Sequence, residues 1–425
     1  MKRLLSFLGS LTIGSGIIAS SLMVVSCDKS GDHPNPGDKH QITEIEKKLQ
    51  KIIDDNSKLW TAKALQEKIE QIIPEAMGIE VKQDQIDDQI GVEIFNLDAT
   101  KTKKLKGQLE LRQVLNEENQ NKTIYIDPMT KKIAISNAGA PPNTLEVLNI
   151  GWDSDGVAYV MPPTIQKVPN YISPHITKID HLFDSAMNFN SNEVSFWDTS
   201  KITSMKSTFV SNNMFNQDLS QWDVSQVKDM TQMFCLTRNF NQDLSKWNTK
   251  NVTNMTMMFA DATAFNGDIS TWNTANVTDM GSMFEGASLF NQDISNWNTT
   301  NVQDMSMMFH LASEFAGDLS KWNVANVTNM SKMFERAVAF HADLSKWNVA
   351  NVTKMNEMFE RTEHFNCDLK AWNTAKVTNM ESMFERAKIF IQDLSKWNVG
   401  LVTNHQNFAD NPNWPKEQQP HFPTK

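Results

Sequence analysis

Trp197, Trp222, Trp247, Trp272, Trp297, Trp322, Trp347, Trp372 and Trp397 stand 25 residues apart, so nine of the 12 tryptophans occupy one column of an internal repeat. Other columns keep the same step: Phe215 to Phe390, Asp218 to Asp393, Val227 to Val402, Met230 to Met380 and Phe234 to Phe384. A typical unit reads Phe-Asn-Gln-Asp-Leu-Ser-Lys-Trp-Asn-Thr-x-Asn-Val-Thr-x-Met-x-x-Met-Phe-x-x-Ala. One such unit holds too few apolar side chains to close a core, but stacked copies bury each column against itself. The expected fold is therefore a solenoid over 176–410. Both ends are degenerate: Ile176, Ile179, Leu182 and Phe183 mimic the Val, Met, Met and Phe columns, and His405 replaces the last Met. Outermost units have no neighbour and so must differ.

Within the unit, Met230-x-x-Met233-Phe234-x-x-Thr237 has the i, i+3, i+4, i+7 spacing of one helical face. A short helix is expected there, with Asp-Leu-Ser-x-Trp and Val-Thr-x-Met adding short parallel strands. Strands space more closely than helices, so such an α/β solenoid should curve. The recurring Asp-Leu-Ser-x-Trp-Asn and Asn-Val-Thr-x-Met-x-x-Met-Phe motifs resemble those of the BspA-like leucine-rich-repeat surface lipoproteins of mollicutes. That resemblance implies a leucine-rich-repeat solenoid at the cell surface, with roles in adhesion or antigenic display and no catalytic residues. The common Leu-x-x-Leu-x-Leu core is here Phe-x-x-x-Leu-x-x-Trp, so strand geometry does not transfer.

Residues 1–27 read as a signal peptide: Met1-Lys2-Arg3 is followed by an uncharged stretch from Leu4 to Ser26. Val24-Val25-Ser26-Cys27 resembles the lipobox of bacterial lipoproteins, in which the Cys thiol takes a diacylglyceryl group. This implies a palmitate-type anchor on the extracellular face of the membrane. Residues 28–40 suit a flexible tether. Residues 41–140 read as a small α+β domain, in which two amphipathic helices over 41–75 precede strand-like sequence that includes a hairpin about Asp127-Pro128-Met129-Thr130. Residues 144–175 read as the array's N-terminal cap, and 411–425 as a Pro-rich tail in which Trp414→Ala should cost little.

A net charge of −10 disfavours nucleic acid as a partner. No cofactor or metal site is called for. The Met-x-x-Met pairs fit core packing better than soft-metal binding, and the Asp218 to Asp393 column fits backbone capping better than calcium. Asp153-Ser154-Asp155-Gly156 fits a hairpin turn. Cys235 and Cys367 lie too many repeats apart for a disulfide. No catalytic constellation stands out, so the chain reads as a non-enzyme that binds a host or cell-surface macromolecule. The alternative is a transport-associated substrate-binding protein or a hydrolase acting through 41–140. Where repeats differ, after the invariant Phe, the later copies read Glu335-Arg336, Glu360-Arg361 and Glu385-Arg386. These six residues are the expected partner-binding positions, at the outer end of the helix. Anchoring should depend on Cys27: a Cys27→Ser chain is expected in the aqueous phase of a detergent partition, and its retention with membranes after signal cleavage would sink the lipidation reading.

Overall fold

The computed structural model describes residues 39–54, 61–87, 92–114 and 119–423. The leader with Cys27 and most of the tether lie outside these residues. His40–Lys425 form one compact unit. Among the described residues no helix is long and apolar enough to cross a membrane.

The repeats stack as a solenoid, but the expected helix is absent. Between Asn149 and Lys416 the only helical element among the described residues is a 3-10 turn at Asn192–Phe196. Its place is taken by a chain of tight turns whose amides can be followed one by one. In the unit 230–237, the N–H groups of Met230, Gln232, Phe234 and Leu236 donate to Asn254, Thr256, Met258 and Ala260 of the next repeat, at 2.7–3.1 Å. Those of Met233, Cys235 and Thr237 donate three residues back, to Met230, Gln232 and Phe234. The remaining one, Thr231 N–H, donates to Asp229 Oδ1 at 2.9 Å. Every amide in the segment is satisfied, as a buried backbone requires.

Two of these turns need a left-handed residue at their third position, as in a type II turn. Gln232 (φ 56°) and Leu236 (φ 61°) supply it, and the pair recurs at Met257 and Asp261, Lys332 and Arg336, Glu357 and Arg361, and Ser382 and Arg386. The turns reproduce the spacing that a helix would show. The thickness argument for curvature lapses with the helix. A parallel ladder does run through the array, as single-residue bridges from Lys178 to Ser204, Asp229, Asn254 and onward to Asn404.

The core is three aromatic columns. Adjacent indoles such as Trp272 and Trp297 lie 6.2 Å apart and 2° from parallel. Phe234 stacks on Phe240 of its own repeat at 4.0 Å and on Phe259 of the next at 5.5 Å. Each indole N–H must be paired once buried. Trp247 Nε1 donates to Leu219 O at 2.9 Å and Trp272 Nε1 to Leu244 O at 3.0 Å, each reaching back one repeat. The Met columns are fully buried, which is core packing. Asp243 Oδ1 accepts Ser245 N–H, and its equivalents do the same, so that column caps turns. Asn251 Nδ2 donates to Ser225 O, and Asn276, Asn326 and Asn351 likewise reach the preceding repeat. The side-chain amides of the Asn-Val-Thr segments thus hold successive coils together.

The N-terminal part holds α1 (Glu46–Asp54) and α2 (Ala62–Ile72), the latter N-capped by Thr61. β1 (His40–Gln41) pairs with β4 (Leu105–Lys106), and β2 (Glu80–Asp87), β3 (Val92–Asp98) and β5 (Gln108–Val114) form an antiparallel sheet over the helices. Their core, from Ile42 to Leu111, is separate from that of the array. The hairpin β6 (Thr123–Ile126) and β7 (Ile133–Ser136) was expected in this domain. Instead β6 pairs with β8 (Val147–Asn149), and Tyr125 joins the array's core. The cap thus begins near Asn119. Where the domain meets the array, Asn170 Nδ2 donates to the buried Glu46 carboxyl and to Glu110 O. Burial pushes the Glu46 pKa up to about 8, so this joint carries a carboxyl that favours its neutral form at neutral pH.

The tail corrects another expectation. Trp414 is 2% exposed, packs edge-on against Phe384 and Phe390, and donates its indole N–H to Gln392 O at 2.8 Å. Leu394 N–H bonds Gln418 O, so the tail lies over the last repeat as its lid. Trp414→Ala should therefore cost about 3–5 kcal/mol, like Trp297→Ala in mid-array. Urea denaturation of the two variants checks this, and a near-neutral Trp414→Ala would mean that the lid contributes nothing.

Candidate binding surface

The turn chain sends Met230, Met233, Phe234 and Thr237 inward and leaves positions 232, 235 and 236 outside that core, although neighbouring coils still bury Cys235, Ala260, Glu335 and Ser382. Backbone bonding fixes these positions without involving their side chains. They differ from repeat to repeat: Gln232, Met257, Ser282, Met307, Lys332, Glu357 and Ser382 in one column, and Cys235, Ala260, Glu285, His310, Glu335, Glu360 and Glu385 in the next. Leu236, Asp261, Gly286, Leu311, Arg336, Arg361 and Arg386 make the third.

The six expected partner-binding residues divide into two groups. Glu335, Glu360 and Glu385 expose only 7, 12 and 23% of their side chains, whereas Arg336, Arg361 and Arg386 expose 43, 36 and 53%. The arginines stand on left-handed turn corners (φ 58°, 57° and 59°) and each forms an ion pair with the glutamate before it. Of the six, the arginines are thus the solvent-facing ones. The glutamates form a half-sunk acidic line beneath them, at the edge of the turns and not at the end of a helix.

That line is neutralised within the chain. His310 lies between Glu285 (Nδ1 to Oε1, 3.3 Å) and Glu335 (Nε2 to Oε2, 3.4 Å). Burial works against a charged imidazole, but the hydrogen bonds to Glu285 and Glu335 outweigh it and lift its pKa to about 9. Lys332 Nζ reaches Glu335 at 3.2 Å and also binds Glu357. Carboxylate oxygens of Glu335, Glu357 and Glu360 converge closely enough to suit a metal ion. The Lys332 ammonium already supplies positive charge between Glu335 and Glu357. Burial, followed by repulsion from Glu335, raises the Glu360 pKa. Lys332 and Glu357 were missed in the sequence; the available signal was the variable column three residues before the glutamates, which a turn brings alongside them.

Residues 161–268, 236–330 and 312–419 each match the family described as Mycoplasma protein of unknown function, DUF285. The chain belongs to that family. No curated protein and no solved structure matches it. The mollicute repeat protein expected from the motifs is thus established as a DUF285 repeat protein. The first match begins at Met161, inside the cap, where the Val157 to Lys178 bridge already joins cap and array.

The His310 bridge gives the DUF285 array a defined pH response. The pKa of His310 is about 9 in the fold against 6.5 for a free imidazole, so its stabilisation is complete below pH 6.5 and is lost as pH rises through 9. Wild type should lose on the order of 1–3 kcal/mol between pH 6 and 9.5 that His310→Gln does not lose. Paired urea titrations at the two pH values measure this, and parallel behaviour of the two proteins would refute the charged bridge.

Proposed function

We propose that this DUF285 protein is a lipid-anchored surface protein whose solenoid binds a macromolecule, in the manner of the BspA-like leucine-rich-repeat lipoproteins that its motifs resemble. The observation that carries this reading is the segregation of the repeat. Columns that build the fold are fixed and buried, while the turn positions 232, 235 and 236, held in register by the backbone, change from repeat to repeat, and the arginines among them are exposed. A row of individually tuned side chains one coil apart gathers many weak contacts on a large partner, whereas a small substrate would meet only one or two coils. The leader ending at Cys27 supports export and anchoring, which would put that row outside the cell, available for adhesion, host interaction or antigenic display.

We read the protein as a non-enzyme, with no cofactor. The alternative, a substrate-binding or hydrolytic activity in residues 41–140, gains no support from the described residues. A cleft there, about 640 Å³, is lined by Lys48, Lys51, Ile52, Ile72, Ile73, Pro74, Glu75 and Lys104, without a nucleophile paired to a base.

The test must spare the glutamates, because Glu335 supports His310 and Lys332. Arg336, Arg361 and Arg386 are to be exchanged together for Ser, a residue the same left-handed corner already holds at Ser185 and Ser211. The variant should fold with unchanged urea midpoint and bind host-cell surfaces or matrix proteins at least about tenfold more weakly, as losing several interfacial arginines implies. Unchanged attachment would move the binding face elsewhere on the molecule.

A further inference from the structure

The small domain has a surface feature that partner binding by the array does not use. Lys48 and Lys51 on α1 and Lys104 before β4 line the 640 Å³ cleft together with the buried Ile52 and Ile73 and the exposed Pro74. Ile72, on its rim, is 50% exposed, and Met77 just beyond α2 is 59% exposed. The three lysines are exposed, and none forms an ion pair with a described carboxylate; Glu75 is the one acidic residue lining the cleft. Lys103 and Lys106 add exposed positive charge beside it, while Lys101 is paired with Glu80. In a chain of net charge −10, this is a local concentration of cations around apolar side chains.

Its position is the second observation. The chain enters the fold at this same edge: His40 N–H bonds Lys104 O at 2.7 Å, and His40 and Gln41 pair with Leu105 and Lys106. Only the twelve residues 28–39 separate Cys27 from that point, a span of at most about 40 Å when fully extended. If Cys27 carries lipid, as proposed above, the cleft is held within that distance of the bilayer at high effective concentration.

We infer that this cleft is a membrane-docking site that takes anionic lipid headgroups on Lys48, Lys51 and Lys104 while Ile72 and Met77 enter the interfacial layer. Ammonium groups near an anionic surface each strengthen binding about fivefold, and the effect weakens with salt. The apolar rim adds an attraction that is independent of salt. Docking would fix the orientation of the array relative to the membrane in a way the tether alone does not.

The experiment uses the chain from Asp28, which keeps the compact unit entire and carries no lipid, in co-sedimentation with vesicles. Binding is expected to phosphatidylcholine vesicles containing phosphatidylglycerol, to fade in high salt, and to be far weaker with phosphatidylcholine alone. Joint exchange of Lys48, Lys51 and Lys104 for Glu should weaken it on the order of 100-fold, with an unchanged thermal midpoint. Ile72→Ser should lower the binding that survives high salt. Equal sedimentation with both vesicle types, or a charge-reversed variant that binds like wild type, overturns the proposal. Because the probe lacks lipid, these outcomes are independent of whether Cys27 is acylated in cells, which the detergent partition decides.

Discussion

The division of backbone amides between turns and neighbours governs the array. In each unit alternate N–H groups close turns within the coil, and the others bond the coil that follows. Neither set suffices alone: turns without neighbours leave half the donors bare in a buried segment, and unpaired buried donors cost about 1–3 kcal/mol each. The solenoid is therefore cooperative by construction, and its ends must be closed. Trp414 and the tail cover the last coil. At the other end the sheet of β6, β7 and β8 adds Tyr125 and Val147 to the first coils.

The same alternation fixes the step at 25 residues. Phe234 stacks on Phe259 and Trp247 on Trp272 only if both columns advance together. The indole N–H bonds to the preceding repeat allow no slip between them. One added residue near Phe189 is tolerated at the degenerate start, where left-handed His181 and Ser185 are followed 26 residues later by Ser207 and Ser211. From Gln232 onward the spacing is regular.

Periodicity made the solenoid, the buried columns and the Asp capping legible in the sequence. It misled about the helix. Successive turns place side chains inward at i, i+3, i+4 and i+7, so the hydrophobic pattern alone does not separate them from a helical turn. The discriminating signal was in the variable columns: positions 232 and 236 and their equivalents hold Gln, Met, Ser, Lys, Glu, Leu, Asp, Gly and Arg, but never Val, Ile or Thr. A left-handed conformation excludes β-branched residues most strongly, whereas a helix surface would admit some. The helix error displaced the candidate site as well. Glu335 was placed at an exposed helix end and is instead 6% exposed, held between His310 and Lys332 from columns that the helical reading kept apart.

Freedom at the outward positions is limited by neighbours in the stack. A side chain in one repeat touches its counterpart in the next, so charge in a column is a collective property. Glu335, Glu360 and Glu385 stand in sequence, and Glu360, between the other two, has its pKa raised by burial and by their charge. Where the line begins, His310 interrupts it and ties Glu285 to Glu335. The interleaved Lys332 and the flanking arginines supply the remaining positive charge. Substitution at one coil therefore alters the electrostatics of the coils on either side. A protein built this way changes its surface in patches while the amide pattern beneath stays the same.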